Sequence, residues 1–463
     1  MPVACGQGVI ETTTEGAAMN RHEEGPPRRD RRRRGRAVAL GSTGALAAAL
    51  LAACGSEGKP ALNWYVNPDG VDTLTQLAEQ CSTDDYDIDI QLLPAGATDQ
   101  RTQLARRLAA RDSSTDLMSL DPVFVPEFAN AGWLEELPAE TADRALEGVL
   151  DGPAETVQWE DGVYAFPQWA NTQVLWYRKS LAEAAGLDMS QPVTWDQVIE
   201  AAADNDGTVG VQADRYEAYV VWINSLVEGA GGSIVSNTEA GKDAEVEIDS
   251  EAGREAAAVI AKLADSEAAQ ADLSVSNEGT SLGQMFPGTD SSRSAGEFMT
   301  NWTFVYKNYE PGDGKEFTQE QFDDLGWARY PRTVEDEPSR PPVGGIDIGV
   351  GAYSDNPEWA LEAAACVTTP EAQTALAVNE GLMPARADAY ESQELTDAYP
   401  RDLLELWQES LSEGGTRPKS AYYALISQAI QSRWHSPTSV DPESTPEESA
   451  EFLRAVLAGE ALL

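Results

Sequence analysis

Two spacings of apolar residues take turns along the first third of the chain. LNWYV (62–66) is a short apolar run of strand type, and over 71–81 Leu74, Leu77 and Ala78 return at helical intervals. In YDIDIQLLP (86–94) Ile88, Ile90 and Leu92 alternate with polar neighbours, the two-residue period of a strand. Helical spacing resumes over 98–112 through Leu104 and Leu108, and DLMSLD (116–121) is a further apolar run that ends on a carboxylate. The order strand, helix, strand, helix, strand predicts an α/β body with a largely parallel sheet. Open sheets of this kind bind ligands beyond the carboxyl ends of their strands, which is where Asp121 falls.

A second series begins at Thr194, which with Gln197 spells a capping box for a helix over 195–204. TVGVQA (208–213) reads as a strand and YEAYVVWINSLVEGAGG (216–232) as a helix stopped by glycines, with Trp222 on its core-facing side. AEVEID (244–249) alternates as a strand before a helix near 250–265, and GEFMTNW (296–302) is a strand leading into a helix. PPVGGIDIGVGA (341–352) suits a strand that crosses between two bodies. Helices are predicted over 357–368, 370–379, 397–411, 418–434 and 445–457, with loops at 309–318 and 332–342. No segment repeats.

The N-terminal pattern differs from all of this. An arginine block at 28–36 precedes seventeen small and apolar residues, 37–53. As a helix that run measures about 25 Å, short for a hydrocarbon core of roughly 30 Å. Charged, then apolar, then small is the order of an export signal. Leu51-Ala52-Ala53-Cys54 resembles a bacterial lipobox, so cleavage before Cys54 and acylation of its thiol are expected, against the alternative of an uncleaved anchor. Met19 also opens a well-formed signal, which leaves open whether residues 1–18 are translated. The remaining chain exceeds the size at which single cores split, so two lobes are expected. Once Cys5 and Cys54 are set aside, Cys81 and Cys366 are a single possible pair. Export permits a disulfide, but their proximity is open at this stage.

A formal charge of −46 disfavours nucleic acid and anionic ligands and suits a neutral or cationic one. A solubility or high-salt role accounts for it equally well. The histidines are His22 and His435 alone, which nearly eliminates a histidine-based triad or a multi-histidine metal site. Walker-type loops, dinucleotide fingerprints and paired CxxC motifs are absent, so no cofactor is expected. Arg106 and Arg107 read as the solvated face of a helix.

What recurs instead is aromatics mixed with carboxylates and amides at strand ends: NWYVNPDG (63–70), SLDPVF (119–124), PQWANTQVLWY (167–177), FMTNWTF (298–304), NEGLMPAR (379–386) and TRPKSAYY (416–423). A pocket for a polyol needs this chemistry, with sugar faces on indole or phenol and hydroxyls on Asp, Asn and Arg. Each position also has a local reading. Asp121 could cap a helix starting at Pro122, Asn171 could be a turn residue, and Arg386 and Arg417 could be surface ion-pair partners.

Together with RTQLARRLAA, DLMSLDPVFVPEFANAGWLEEL, NTQVLWYR, TNWTFV, GGIDIGV and EGLMPAR, these stretches resemble the extracellular solute-binding proteins of ABC sugar importers, and most of all their mycobacterial trehalose-binding lipoproteins. The resemblance implies a two-lobed, periplasmic-binding-protein-like α/β fold with three crossing segments and a ligand cleft between the lobes. It implies lobe one over 60–168 and 346–386, and lobe two over 169–345 and 387–463. Cys81 and Cys366 then share a lobe, at positions where relatives carry paired cysteines. Asp121 takes the place of a hydroxyl-gripping carboxylate, Asn171 of a cleft asparagine, Trp302 of a stacking aromatic, and Arg417 of a cleft arginine with Tyr422 or Tyr423 nearby. Asn67, Gly345 and Asp347 are further ligand-binding candidates, and Arg386 is a hinge candidate. Asp347 departs from the family pattern, which has an amide there. The implied protein is a monomeric, membrane-tethered, non-enzymatic receptor that delivers a neutral disaccharide, trehalose foremost, to a permease. Its rivals are a maltose, glucoside or polyol binder, a secreted glycoside hydrolase, and an adhesin.

Overall fold

The computed structural model describes residues 59–283, 285–286, 296–312 and 317–463. The expected signal sequence and the acylation expected at Cys54 lie outside the described residues. One mixed sheet of nine strands organises the rest: β1 (Ala61–Val66), β2 (Asp87–Leu92), β3 (Leu117–Leu120), β4 (Ala165–Arg178), β5 (Thr208–Gly210), β6 (Gly296–Trp302), β7 (Leu325–Ala328), β8 (Pro342–Val350) and β9 (Gly415–Thr416). Its order is β2-β1-β3-β8-β4-β6-β5, with β7 beside β4 and β9 beside β8. The principal helices are α1 (Val71–Cys81), α2 (Ala97–Ala109), α3 (Trp195–Ala203), α4 (Glu217–Glu228), α5 (Glu251–Asp265), α6 (Pro357–Cys366), α7 (Pro370–Glu380), α8 (Arg401–Glu413), α9 (Tyr423–Trp434) and α10 (Thr445–Leu457).

The fold is two-lobed, and two long strands join its halves. The first part of β4 pairs with β8 from Ala165 to Thr172, whereas its second part, from Gln173, pairs with β6 and β7. β8 in turn meets β3 through Asp347–Val350 and β9 through Pro342–Val343. Only the β1-β2, β1-β3, β5-β6 and β8-β9 pairs are parallel. The expected largely parallel arrangement holds in the β-α-β-α-β start, whereas the crossing strands β4 and β8 pair antiparallel with each other and with β3, β6 and β7. Apolar cores cover both faces on each side. Leu62, Trp64, Leu74 and Ile348 pack with α6, Phe128 and Leu120 pack with α2, and Trp195, Ile223, Ile260 and Trp434 form the largest cluster.

Local sequence explains the elements that match. Thr194 and Gln197 make the expected reciprocal capping box. Cys81 and Cys366 are joined, with Cα atoms 5.9 Å apart. Trp222 is buried among Trp195 and Tyr219.

Other expectations fail for definable reasons. The 397–411 helix is two helices, Gln393–Ala398 and α8, because Pro400 stands between them. The 418–434 helix starts only at Tyr423. The strand at 208–213 ends at Gly210, after which Val211 N–H donates to the Gln270 amide and Ala213 N–H to Ser276. AEVEID contributes only Glu245–Val246 to a hairpin with Val235–Ser236, and its Ile248 enters the core.

Candidate functional site

A cleft of ≈ 670 Å³ opens where β4 and β8 change partners. Its wall includes Asn67, Asp121, Asn171, Trp302, Gly345 and Arg417, so six of the eight ligand-binding candidates come together although they are spread from 67 to 417.

Asn67, Asp121, Trp302 and Arg417 stand at strand ends, whereas Asn171 and Gly345 lie within the crossing strands. Asp121 ends β3, where its carboxylate accepts from the Val123 amide and so also performs the capping role open to it. Asn171 lies on β4 opposite Gly344, and its Oδ1 accepts from the Thr303 hydroxyl at 3.3 Å. Trp302 closes β6 over Gly344, where an added Cβ would come within 3.4 Å of the indole. Gly345 has φ +143°, and a Cβ there would lie 2.2 Å from the Trp169 carbonyl oxygen, so only glycine allows the two crossing strands to approach this closely. Arg417 follows β9, whose pairing to Pro342–Val343 carries it to the cleft.

The arginine is held on three sides. Its Nη2 donates to Asp121 Oδ1 at 2.8 Å, and its Nη1 donates to Asp121 Oδ2 at 3.3 Å and to Glu217 Oε1 at 2.9 Å. Glu217 also accepts from the Tyr423 hydroxyl and, at 2.7 Å, from Ser427 Oγ. Arg417 is thus no surface ion-pair partner: it is 6% exposed. Burial raises the Glu217 pKa, and Arg417 opposes that rise.

A second cluster lies around the Asn67 loop. Asn67 Nδ2 donates to Asp69 Oδ2 at 2.8 Å, while its buried Oδ1 has no hydrogen-bond partner among the described residues. Tyr216 donates to Glu278 Oε2 at 2.7 Å. Burial raises the pKa of both Asp69 and Glu278, and the charge of Asp69 adds to the shift at Glu278. Among the described residues, the cleft wall carries six carboxylates (Asp69, Asp121, Asp214, Glu217, Glu278 and Glu380) and a single cation, Arg417.

Two candidates lie elsewhere. Asp347 is 2% exposed and outside the cleft wall, and its Oδ2 accepts from Thr156 Oγ1 at 3.0 Å. Gly345 and the register shift between Ile346 and Asp347 break the two-residue alternation, so Ile346 lines the cleft instead. Tyr422 points away, with the Lys242 ammonium 5.6 Å from its ring centre, and it is Tyr423 that turns inward. Arg386 pairs with Asp388 outside the cleft wall.

Glu217, Glu278, Asp69, Tyr216 and Trp169 are cleft residues that the sequence reading missed. A signal existed for Glu217, an acid opening the helix just before the apolar run Ala218–Ile223. Asp69 and Trp169 lie in two of the aromatic and carboxylate stretches, NWYVNPDG and PQWANTQVLWY, whereas nothing in the sequence separates Tyr216 and Glu278 from the many other acids and aromatics of the chain.

A cleft walled from both halves of a two-lobed α/β body, at the joint between them, is the architecture of a solute receptor. Residues 67–374 match the model of the bacterial extracellular solute-binding proteins, and the chain belongs to that family. Over 103 residues it is 31% identical to a mannitol-binding protein of Pseudomonas aeruginosa, a match covering 22% of this chain and 24% of the relative. Among solved structures, maltose-bound T. maritima MalE3 aligns at TM-score 0.73 and 22% identity, over 87% of this chain and all of the other. The GacH receptor of Streptomyces glaucescens, described in complex with acarbose, aligns at TM-score 0.69 and 21% identity with the same coverage of this chain and all of its own.

Proposed function

We propose that the protein captures an uncharged sugar of disaccharide size for an ABC importer, with trehalose the first candidate, and hands it intact to a membrane permease. The observation that carries this reading is the meeting of Trp302 and Trp169 with Asp121, Asn171, Asn67 and Arg417 in one cleft. Indole faces stack on the apolar faces of pyranose rings, and the carboxylates and amides take up hydroxyls. The volume lies inside the ~300–1,000 Å³ usual for small-molecule sites.

In this reading Asn67, Asp121, Asn171, Trp302, Gly345 and Arg417 contact the ligand. Lobe one (60–168 with 346–386) and lobe two (169–345 with 387–463) close on it by bending at the crossings. An acylated Cys54 tethers the monomeric receptor to the outer face of the cell membrane. The mannitol-binding relative favours a polyol as the second reading.

Calorimetric titration of the purified protein with trehalose, maltose, glucose and mannitol tests this. One-to-one binding of trehalose, with the sugar recovered unchanged, is the expected result. Binding of mannitol alone replaces the ligand, silence with all four removes the sugar assignment, and glucose release would make the protein a hydrolase.

A further inference from the structure

Arg417 is the sole cation of the cleft wall among the described residues. A guanidinium in such a place is ordinarily a two-pronged receptor for a carboxylate or phosphate. Here three of its donors are engaged: Asp121 bridges both terminal nitrogens, Glu217 lies 2.9 Å from Nη1, and Nε has no hydrogen-bond partner among the described residues. Glu217 is itself locked behind the arginine by the Tyr423 and Ser427 hydroxyls, so it is not free to swing aside for an arriving anion. The remaining carboxylates of the wall, Asp69, Asp214, Glu278 and Glu380, add a field of the same sign.

We propose that Glu217 is a specificity-determining residue: by sharing Arg417 with Asp121 it turns a potential anion site into one that accepts uncharged ligands and rejects anionic ones. The proposal rests on the reading of this cleft as the ligand site, and it adds the class of ligand the cleft refuses. It also gives Arg417 a different task from anion capture. Held by two carboxylates, the guanidinium is a rigid part of the wall, and Asp121 is oriented by it.

The test compares the wild-type protein with Glu217→Gln, which keeps the side-chain shape and removes the charge, and with Asp121→Asn and the double variant. Each is first shown to melt cooperatively, so that an unfolded variant is recognised. Should Glu217→Gln fail to fold, Asp121→Asn carries the comparison. The probes are inorganic phosphate, trehalose and trehalose 6-phosphate, read by calorimetry and by the shift in melting temperature. The expected result is no response of the wild type to phosphate, and a gain of phosphate binding in the double variant. The affinity ratio of trehalose to its phosphate is expected to fall at least tenfold in each single variant. Wild-type binding of phosphate, or folded variants that respond to neither anion, would overturn the proposal. The phosphate measurement stands whichever sugar the protein takes, so silence toward trehalose alone counts against the sugar reading and leaves the anion test decisive.

Discussion

Arg417 and Asp121 show how much a single pair of side chains can carry. Truncating either leaves its partner charged and poorly paired in a wall that is largely buried, and a broken pair of this kind is costly. Arg417→Ala is expected to weaken sugar binding at least tenfold while circular dichroism shows an intact fold, and unchanged affinity in a folded variant would remove Arg417 from the site. Asp347 predicts the opposite. Burial holds its carboxyl well above the usual range, with the nearby Asp121 charge adding and the Thr156 hydroxyl opposing. Asp347→Asn removes an ionisable group that lies outside the cleft wall, so it should leave ligand affinity as it was and raise the urea midpoint at pH 8. A loss of affinity there would return Asp347 to the site.

At the scale of elements, the crossing strands decide where the cleft lies. β4 runs for 14 residues and exchanges partners near its middle, and β8 matches it with Gly344 and Gly345 at the same level. A side chain at 345 would be strained in backbone conformation and would collide with the Trp169 carbonyl. Gly345→Ala should therefore cost about 2 kcal/mol or more of stability, measured by urea denaturation, and should weaken ligand binding because Trp169 and Ile346 shift with it. The glycine-rich crossing was legible in PPVGGIDIGVGA, and so were α1 and the capped α3, because period and caps are local properties. The outward turn of Tyr422 was not legible, because nothing local separates it from Tyr423 until Glu217 is placed beside one of them.

For the whole molecule, charge governs the response to pH. Burial lifts Glu228 from 4.5 to about 7, and Asp69, Glu217, Glu278 and Asp347 are shifted in the same direction. A carboxyl whose folded pKa exceeds its unfolded one keeps a proton that the unfolded chain has already released. Its contribution is then most favourable below about pH 4.5 and is lost as the pH rises toward about 7. The denaturation midpoint should accordingly fall between pH 5 and pH 7.5, and Glu228→Gln should flatten that slope. An identical profile in the variant would show that Glu228 is not responsible. The net charge of −46 adds mutual repulsion over the same range, and salt should relieve that part.

By itself, the sequence determined what depends on near neighbours: the order of strands and helices, the glycine crossing, and the types of side chain a ligand would meet. Six of eight ligand-binding candidates fell in one cleft: four stand at strand ends, which are marked locally and which open sheets gather together, and two lie within the crossing strands. Only the tertiary structure decided which acids among 78 face that cleft, that Arg417 is shared by two carboxylates, and that Asp347 is buried beside Thr156. Those facts rest on contacts between residues about 200 to 300 positions apart, such as Glu217 with Arg417 and Asp121 with Arg417. A charge reads the same in sequence whether it meets water or a partner, and packing alone tells the two apart.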